Sequence, residues 1–108
     1  MLENAYNALK SAGLDARLAA DHSGVCTAPY CVAYEGQEES GKTVNKRHVI
    51  VDVLVPAEKP GWLPGEVRKV RAALQAADFR PSFTSPTTVL EDYKAVATSV
   101  DFVMLCGN

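Results

Sequence analysis

No run of apolar residues in these 108 is long enough to span a bilayer. The first residues, Met1-Leu2-Glu3-Asn4, have neither a basic stretch nor an apolar core behind it, which argues against a secretory leader. Cysteine is scarce. Three in a chain of ordinary composition is an odd number, which suits a reducing cytoplasm better than a disulfide framework. Neither sign of charge dominates, and the formal net charge of −2 gives no global pull toward nucleic acid. Low-complexity tracts are absent and the charges are dispersed. The length is that of one domain, residues 1–108, able to bury a core without disulfides or metal.

What the sequence does have is concentrated between Lys46 and Phe79. His48-Val49-Ile50-Val51-Asp52-Val53-Leu54-Val55 is a β-branched run closed by Pro56, and it predicts a central, largely buried strand. Val49, Val51, Val53 and Val55 already complete an apolar face, which puts Asp52 on the other, solvent side. Pro56, Pro60, Gly61 and Pro64 then interrupt the chain. A helix is predicted over residues 64–77, with Pro64 in its first turn, where a missing N–H costs nothing. Val67, Val70, Leu74 and Ala77 form its apolar stripe, and Arg68, Lys69, Arg71 and Gln75 point away.

Elsewhere the same two periods recur. Leu2, Ala5, Tyr6 and Leu9 mark a first helix over residues 2–12, with Gly13 as its C′ residue and Leu14 as the apolar contact beyond. The heptapeptides 8–14 and 73–79 echo one another, each reading as a helix end that turns into an extended segment. A short strand is expected over 16–20 and a longer one over 27–35. In the latter, Tyr30, Val32 and Tyr34 face one way and Cys31 and Ala33 the other. The polar segment from Gly36 to Lys46 reads as a long, mobile β-hairpin. Residues 84–90 are β-branched but contain Pro86, the mark of an edge or irregular strand. The last strand, over 93–105, sets Val96, Val100, Phe102 and Met104 on one face. The expected fold class is α+β: a mainly antiparallel sheet of four to five strands with two helices packed on it.

Three patterns could carry chemistry. Gly36-Gln37-Glu38-Glu39-Ser40-Gly41-Lys42-Thr43 satisfies the phosphate-loop pattern, and Val49-Ile50-Val51-Asp52 resembles the second motif of such enzymes. That loop needs a helix after Lys42-Thr43 to hold phosphates, whereas Val44 leads into a strand. There is also no room for a parallel crossover, so a solvated hairpin tip is the better reading. His22, Cys26, Cys31 and Cys106 are the conceivable zinc ligands, but C-x4-C lies at the edge of zinc spacing and Cys31 falls inside a strand. A Cys–His nucleophile would need Cys26 or Cys31 beside His22 or His48, and no spacing brings them together. No cofactor or metal is therefore expected. The cluster Arg68-Lys69-Val70-Arg71 is a solvated face or an electrostatic contact; no exposed aromatic is read beside it, which leaves it without a base-stacking platform.

Ala28-Pro29-Tyr30-Cys31-Val32-Ala33-Tyr34 resembles the proline, aromatic, apolar, tyrosine strand of the small neck and tail-terminator proteins of long-tailed bacteriophages. The polar hairpin, strand and amphipathic helix that follow, and the closing stretch from Asp92 to Phe102, are similar to that family in order and spacing. The likeness covers residues 28–105, and the N-terminal part is shorter than in some members. It implies a structural, non-enzymatic virion protein, present in the host cytoplasm during assembly. Such a protein forms a homo-oligomeric ring, often a hexamer, that joins the tail tube to the head connector. DNA passes through its lumen without sequence-specific binding. The alternative is a small α+β module that binds protein or nucleic acid through the basic helix around Arg68–Arg71. Subunit or partner contacts are expected at Gly36, Glu38, Glu39, Gly41 and Lys42 of the hairpin, at Arg68, Lys69 and Arg71, and at Pro86 in the edge stretch.

Overall fold

The computed structural model describes residues 2–18, 24–36, 39–40 and 44–107. Helix α1, Leu2–Ser11, buries Ala5 and Leu9. It ends at Gly13, whose φ of +81° suits a residue without a Cβ. Strand β1, Ala16–Leu18, follows at once. Next come β2, Tyr30–Glu35, β3, Glu39–Ser40, and the long β4, Val44–Pro56. A 3-10 turn, Pro60–Trp62, leads into α2, Leu63–Ala76. The chain closes with β5, Arg80–Thr84, β6, Thr88–Leu90, and β7, Ala95–Gly107.

All seven strands form one sheet, whose main path runs β1-β2-β4-β7-β5; β3 pairs with β4 and β6 with β7. The α+β class holds and both expected helices are present. The sheet is mixed, because β1 lies parallel to β2 with Ala16 opposite Cys31. Three residues carry no signature of pairing direction. Gly13 turns the chain out of α1, and Cys31 N–H bonds the Asp15 carbonyl at 3.0 Å where β1 enters beside β2. The other ladders are antiparallel, and β4 with β7 is the longest, from Val44 opposite Gly107 to Pro56 opposite Ala95.

The periodicities sort the side chains as expected. Val49, Val51, Val53 and Val55 of β4 meet Val100 and Phe102 of β7 beneath the two helices, whose Leu9, Val70 and Leu74 complete this main core. Burying side chains of this kind stabilises by roughly 1.5–3 kcal/mol each. On the opposite face a smaller cluster gathers Cys26, Tyr30, Val32, Leu54, Ala95 and Ala97. Among the described residues no helix covers that second face.

Several boundaries differ from expectation. The second strand starts at Tyr30, not residue 27. Pro29 has no N–H to give a ladder, and the preceding loop instead ties Cys26 N–H to the Tyr93 carbonyl at 2.7 Å. The last strand begins at Ala95, because Lys94 takes a left-handed φ of 49° after the 3-10 turn Glu91–Tyr93. The stretch around Pro86 is two short strands with a break between them, rather than one irregular strand. The echo between the two heptapeptides is real geometry: Leu14 N–H reaches the Leu9 carbonyl at 3.2 Å and Phe79 N–H the Leu74 carbonyl at 2.9 Å, the same helix-ending bond.

Candidate functional site

The sheet's two ends are unlike. At one, β1 presents three residues, and Arg17 there is folded onto the Tyr30 ring at 4.0 Å and paired with Asp15 at 3.2 Å. At the other, β5 and β6 share β7 as their one partner, so their outer side is open among the described residues. This edge is irregular. The register slips between Pro81 and Phe83, leaving Ser82 as the extra residue of a bulge. Exposed Pro86 lies in the break between the two strands. Ser85 pins the break to β7, since its N–H bonds the Ser99 carbonyl at 2.9 Å and its hydroxyl accepts from Ser99 N–H at 3.0 Å. Phe83 and Val89 stand out from this edge with about 62% and 63% of their surfaces exposed. Val89 and the exposed Val25 line a groove of about 510 Å³ together with Cys26, Leu90 and Ala95.

The uncovered face carries a polar network across three strands. Asp52 lies there, on the side opposite the valines, as its place in β4 required. Its Oδ1 accepts from the Tyr34 hydroxyl at 3.0 Å and from the Ser99 hydroxyl at 2.5 Å. Burial, with the Asp52 charge beside it, pushes the Tyr34 phenol up to about 12. One step along the sheet, His48 Nδ1 lies 2.8 Å from Asp101 Oδ1. The Ser99 hydroxyl donates to an acid, and through Asp52 the network ties β2, β4 and β7 together across the sheet.

Cys26 and Cys31 fall on opposite faces, and Cys106 stands near the end of β7. Cys31 belongs to the core under the helices and Cys26 to the cluster on the other side, so one ion cannot take both as ligands. Burial raises both thiols, that of Cys31 to about 12. Among the described residues no group of three His, Cys, Asp or Glu side chains is placed to hold a metal. His22 lies outside them. Nor is any helix of the described residues long and apolar enough to cross a membrane.

Of the hairpin residues, Glu38, Gly41 and Lys42 lie outside the described residues, as does the expected mobility of the tip. Glu39 stands in β3 opposite Lys46, which makes this segment a true hairpin. After Thr43 the chain is β4 and not a helix, so the phosphate-loop match lacks the element that would hold a phosphate. Gly36 sits at the hairpin's root. Its N–H bonds the His48 carbonyl at 2.9 Å, and a Cβ there would come within 2.9 Å of His48 Cβ.

Arg68, Lys69 and Arg71 are exposed on the outer side of α2, as expected. One expectation about them fails. An aromatic does stand beside the cluster: Trp62, about 49% exposed, with the Lys59 ammonium 5.7 Å from its ring. Trp62, Arg68 and Lys69 line a shallow recess of about 590 Å³, together with Pro29 and Glu66. Lys69 leans on Glu66 at 3.3 Å. Periodicity did not find Trp62, because it falls in the proline- and glycine-rich turn where no period runs. The available signal was chemical, a tryptophan in a segment with no apolar face to join.

No known protein family matches the sequence, and no curated protein does.

Proposed function

We propose that the protein is a structural component of a phage or prophage virion, a tail-terminator ring that joins the tail tube to the head connector. The observation that carries this reading is the pair of unlike sheet edges. The open β5–β6 edge bears Phe83 and Val89, and the edge at the other end of the sheet is β1. Copies that meet edge to edge through two different surfaces make a heterologous contact, which closes into a ring when the rotation allows. Unpaired strand groups are a ready means of extending a sheet across subunits. The polar hairpin adds an arm beyond the core, and the resemblance in element order supplies the identity of the ring.

On this reading the protein is not an enzyme and needs no cofactor. Its partners are copies of itself, the tail tube and the connector. DNA passes through the lumen without being read, and the slightly acidic chain suits a conduit that must not grip phosphates. It works in the virion after assembly in the host cytoplasm. The test is to mix the purified protein with tail tubes and image their ends. The reading expects a ring capping one end; tubes left bare at saturating protein would refute it.

A second reading has one observation in its favour. Trp62 beside Arg68 and Lys69 suits a small module that binds an acidic protein segment or nucleic acid. Saturable binding of such a ligand by a strictly monomeric protein would favour it.

A further inference from the structure

Four large apolar side chains stand exposed among the described residues: Val25, Trp62, Phe83 and Val89. Two of them, Val25 and Val89, line the groove beside the open edge. Its volume of about 510 Å³ is that of pockets that enclose a drug-sized molecule, which leaves room for one large aromatic side chain. Trp62 is the largest of the four and the one that stands apart from both the groove and the edge.

The two patches carry opposite rims. Glu58 and Glu91 line the groove, Asp92 follows Glu91, and Lys94 is the one cation in the lining. Around Trp62 the Lys59 ammonium lies 5.7 Å from the ring, and Arg68 and Lys69 line the same recess. Glu66 is the one acid there, and Lys69 already engages it at 3.3 Å. Arg71 stands exposed on the next turn of α2. No ion pair among the described residues engages Glu58, Glu91, Asp92, Arg68 or Arg71. The groove thus keeps an excess of negative charge and the Trp62 patch an excess of positive charge.

Within one chain the patches lie on opposite sides of the sheet. Cys26 and Ala95 of the groove belong to the cluster on the second face, whereas Leu63, next to Trp62, packs into the core under the helices. We propose that the groove between Val25 and Val89 receives Trp62 of a second copy of this chain. This rests on the ring reading and names one of its joints, a heterologous contact of two different surfaces. The indole covers the two valines, and Lys59 and Arg68 come against Glu58 and Glu91. A tryptophan seated in an apolar pocket behind a charged rim is the usual anchor of a protein contact. Nucleic acid fits less well, because it would use the indole and the cations but leave the apolar groove bare.

Trp62 is the one tryptophan of the chain, so its fluorescence reports this joint alone. Three proteins test it: Val25→Asp, Glu58→Lys with Glu91→Lys, and Arg68→Glu with Arg71→Glu. All five positions are exposed, so the monomer's thermal midpoint should stay nearly unmoved. The wild type is expected to shift its emission to the blue as it associates, and to lose part of the shift as salt is added. Val25→Asp should lose the shift. Each charge-reversed protein alone should associate at least about tenfold more weakly, and an equimolar mixture of the two should regain both association and shift. Rings that form with unchanged emission, or undiminished association in the reversed proteins, would overturn this joint and leave the ring reading standing. A wild type that stays monomeric at high concentration and on tail tubes alike would remove both. A blue shift on adding single-stranded DNA, without one on self-association, would assign Trp62 to nucleic acid and overturn the proposal.

Discussion

Gly13 and Asp78 hold the same place in the two helix ends, with φ of +81° and +68°. Each is the left-handed residue that lets the next N–H reach back to a buried leucine, Leu9 or Leu74. Glycine takes that conformation freely, whereas an aspartate is strained by its Cβ. Asp78→Gly should therefore stabilise the protein by about 0.5 kcal/mol, the strain relieved less the freedom a glycine adds to the unfolded chain. Urea unfolding of the two proteins checks this. Destabilisation by the glycine would mean that the Asp78 side chain has a role in capping α2.

Leu74 is fully buried under α2, against the valines of β4 and Phe102 of β7. Leu74→Ala should cost roughly 2–5 kcal/mol, the range for a buried leucine truncation. A loss below about 0.5 kcal/mol, the scale of a surface change, would show that the helix turns another face to the sheet.

Tyr34 gives the pH dependence. Its phenol is held neutral up to about 12, against 10.0 for a free tyrosine. The native state thus holds this proton more tightly than the unfolded state. The resulting stability is intact below about pH 10, falls as the unfolded tyrosine ionises, and is gone once pH passes the native value near 12. Tyrosinate absorbance should show a late transition that disappears in Tyr34→Phe. A titration identical in the two proteins would contradict the Tyr34–Asp52 contact.

Phe83→Asp and Val89→Asp probe the open edge. Both side chains are mostly exposed, so each change should leave the thermal midpoint of the monomer nearly unmoved. Self-association should drop sharply, because a charge on an edge strand is the common way to block strand addition. A marked fall in the midpoint, with association unaffected, would place these residues in the fold and not in an interface.

The fold was legible wherever one face of an element is buried. Alternation separated Val49, Val51, Val53 and Val55 from Asp52, and Cys31 from Tyr30 and Val32, because a strand has only two faces. Pairing partners were much less legible. The parallel entry of β1 depends on its register with β2, Ala16 opposite Cys31, and the ties from Asp52 to Ser99 and from His48 to Asp101 join residues 47 and 53 positions apart. Trp62 escaped for a different reason: sequence patterns show what is apolar, not what the fold leaves uncovered.

The central claim is that copies of this chain close into a ring through unlike surfaces, with the hairpin as one of them. Light scattering combined with negative-stain imaging tests it most directly, on the wild type and on a protein shortened between Gly36 and Lys46. The account predicts closed rings of uniform mass, a hexamer on the family resemblance, for the wild type. The shortened protein should remain monomeric with a nearly unchanged thermal midpoint. Rings formed equally well by the shortened protein, or a wild type that stays monomeric at high concentration and on tail tubes alike, would contradict it.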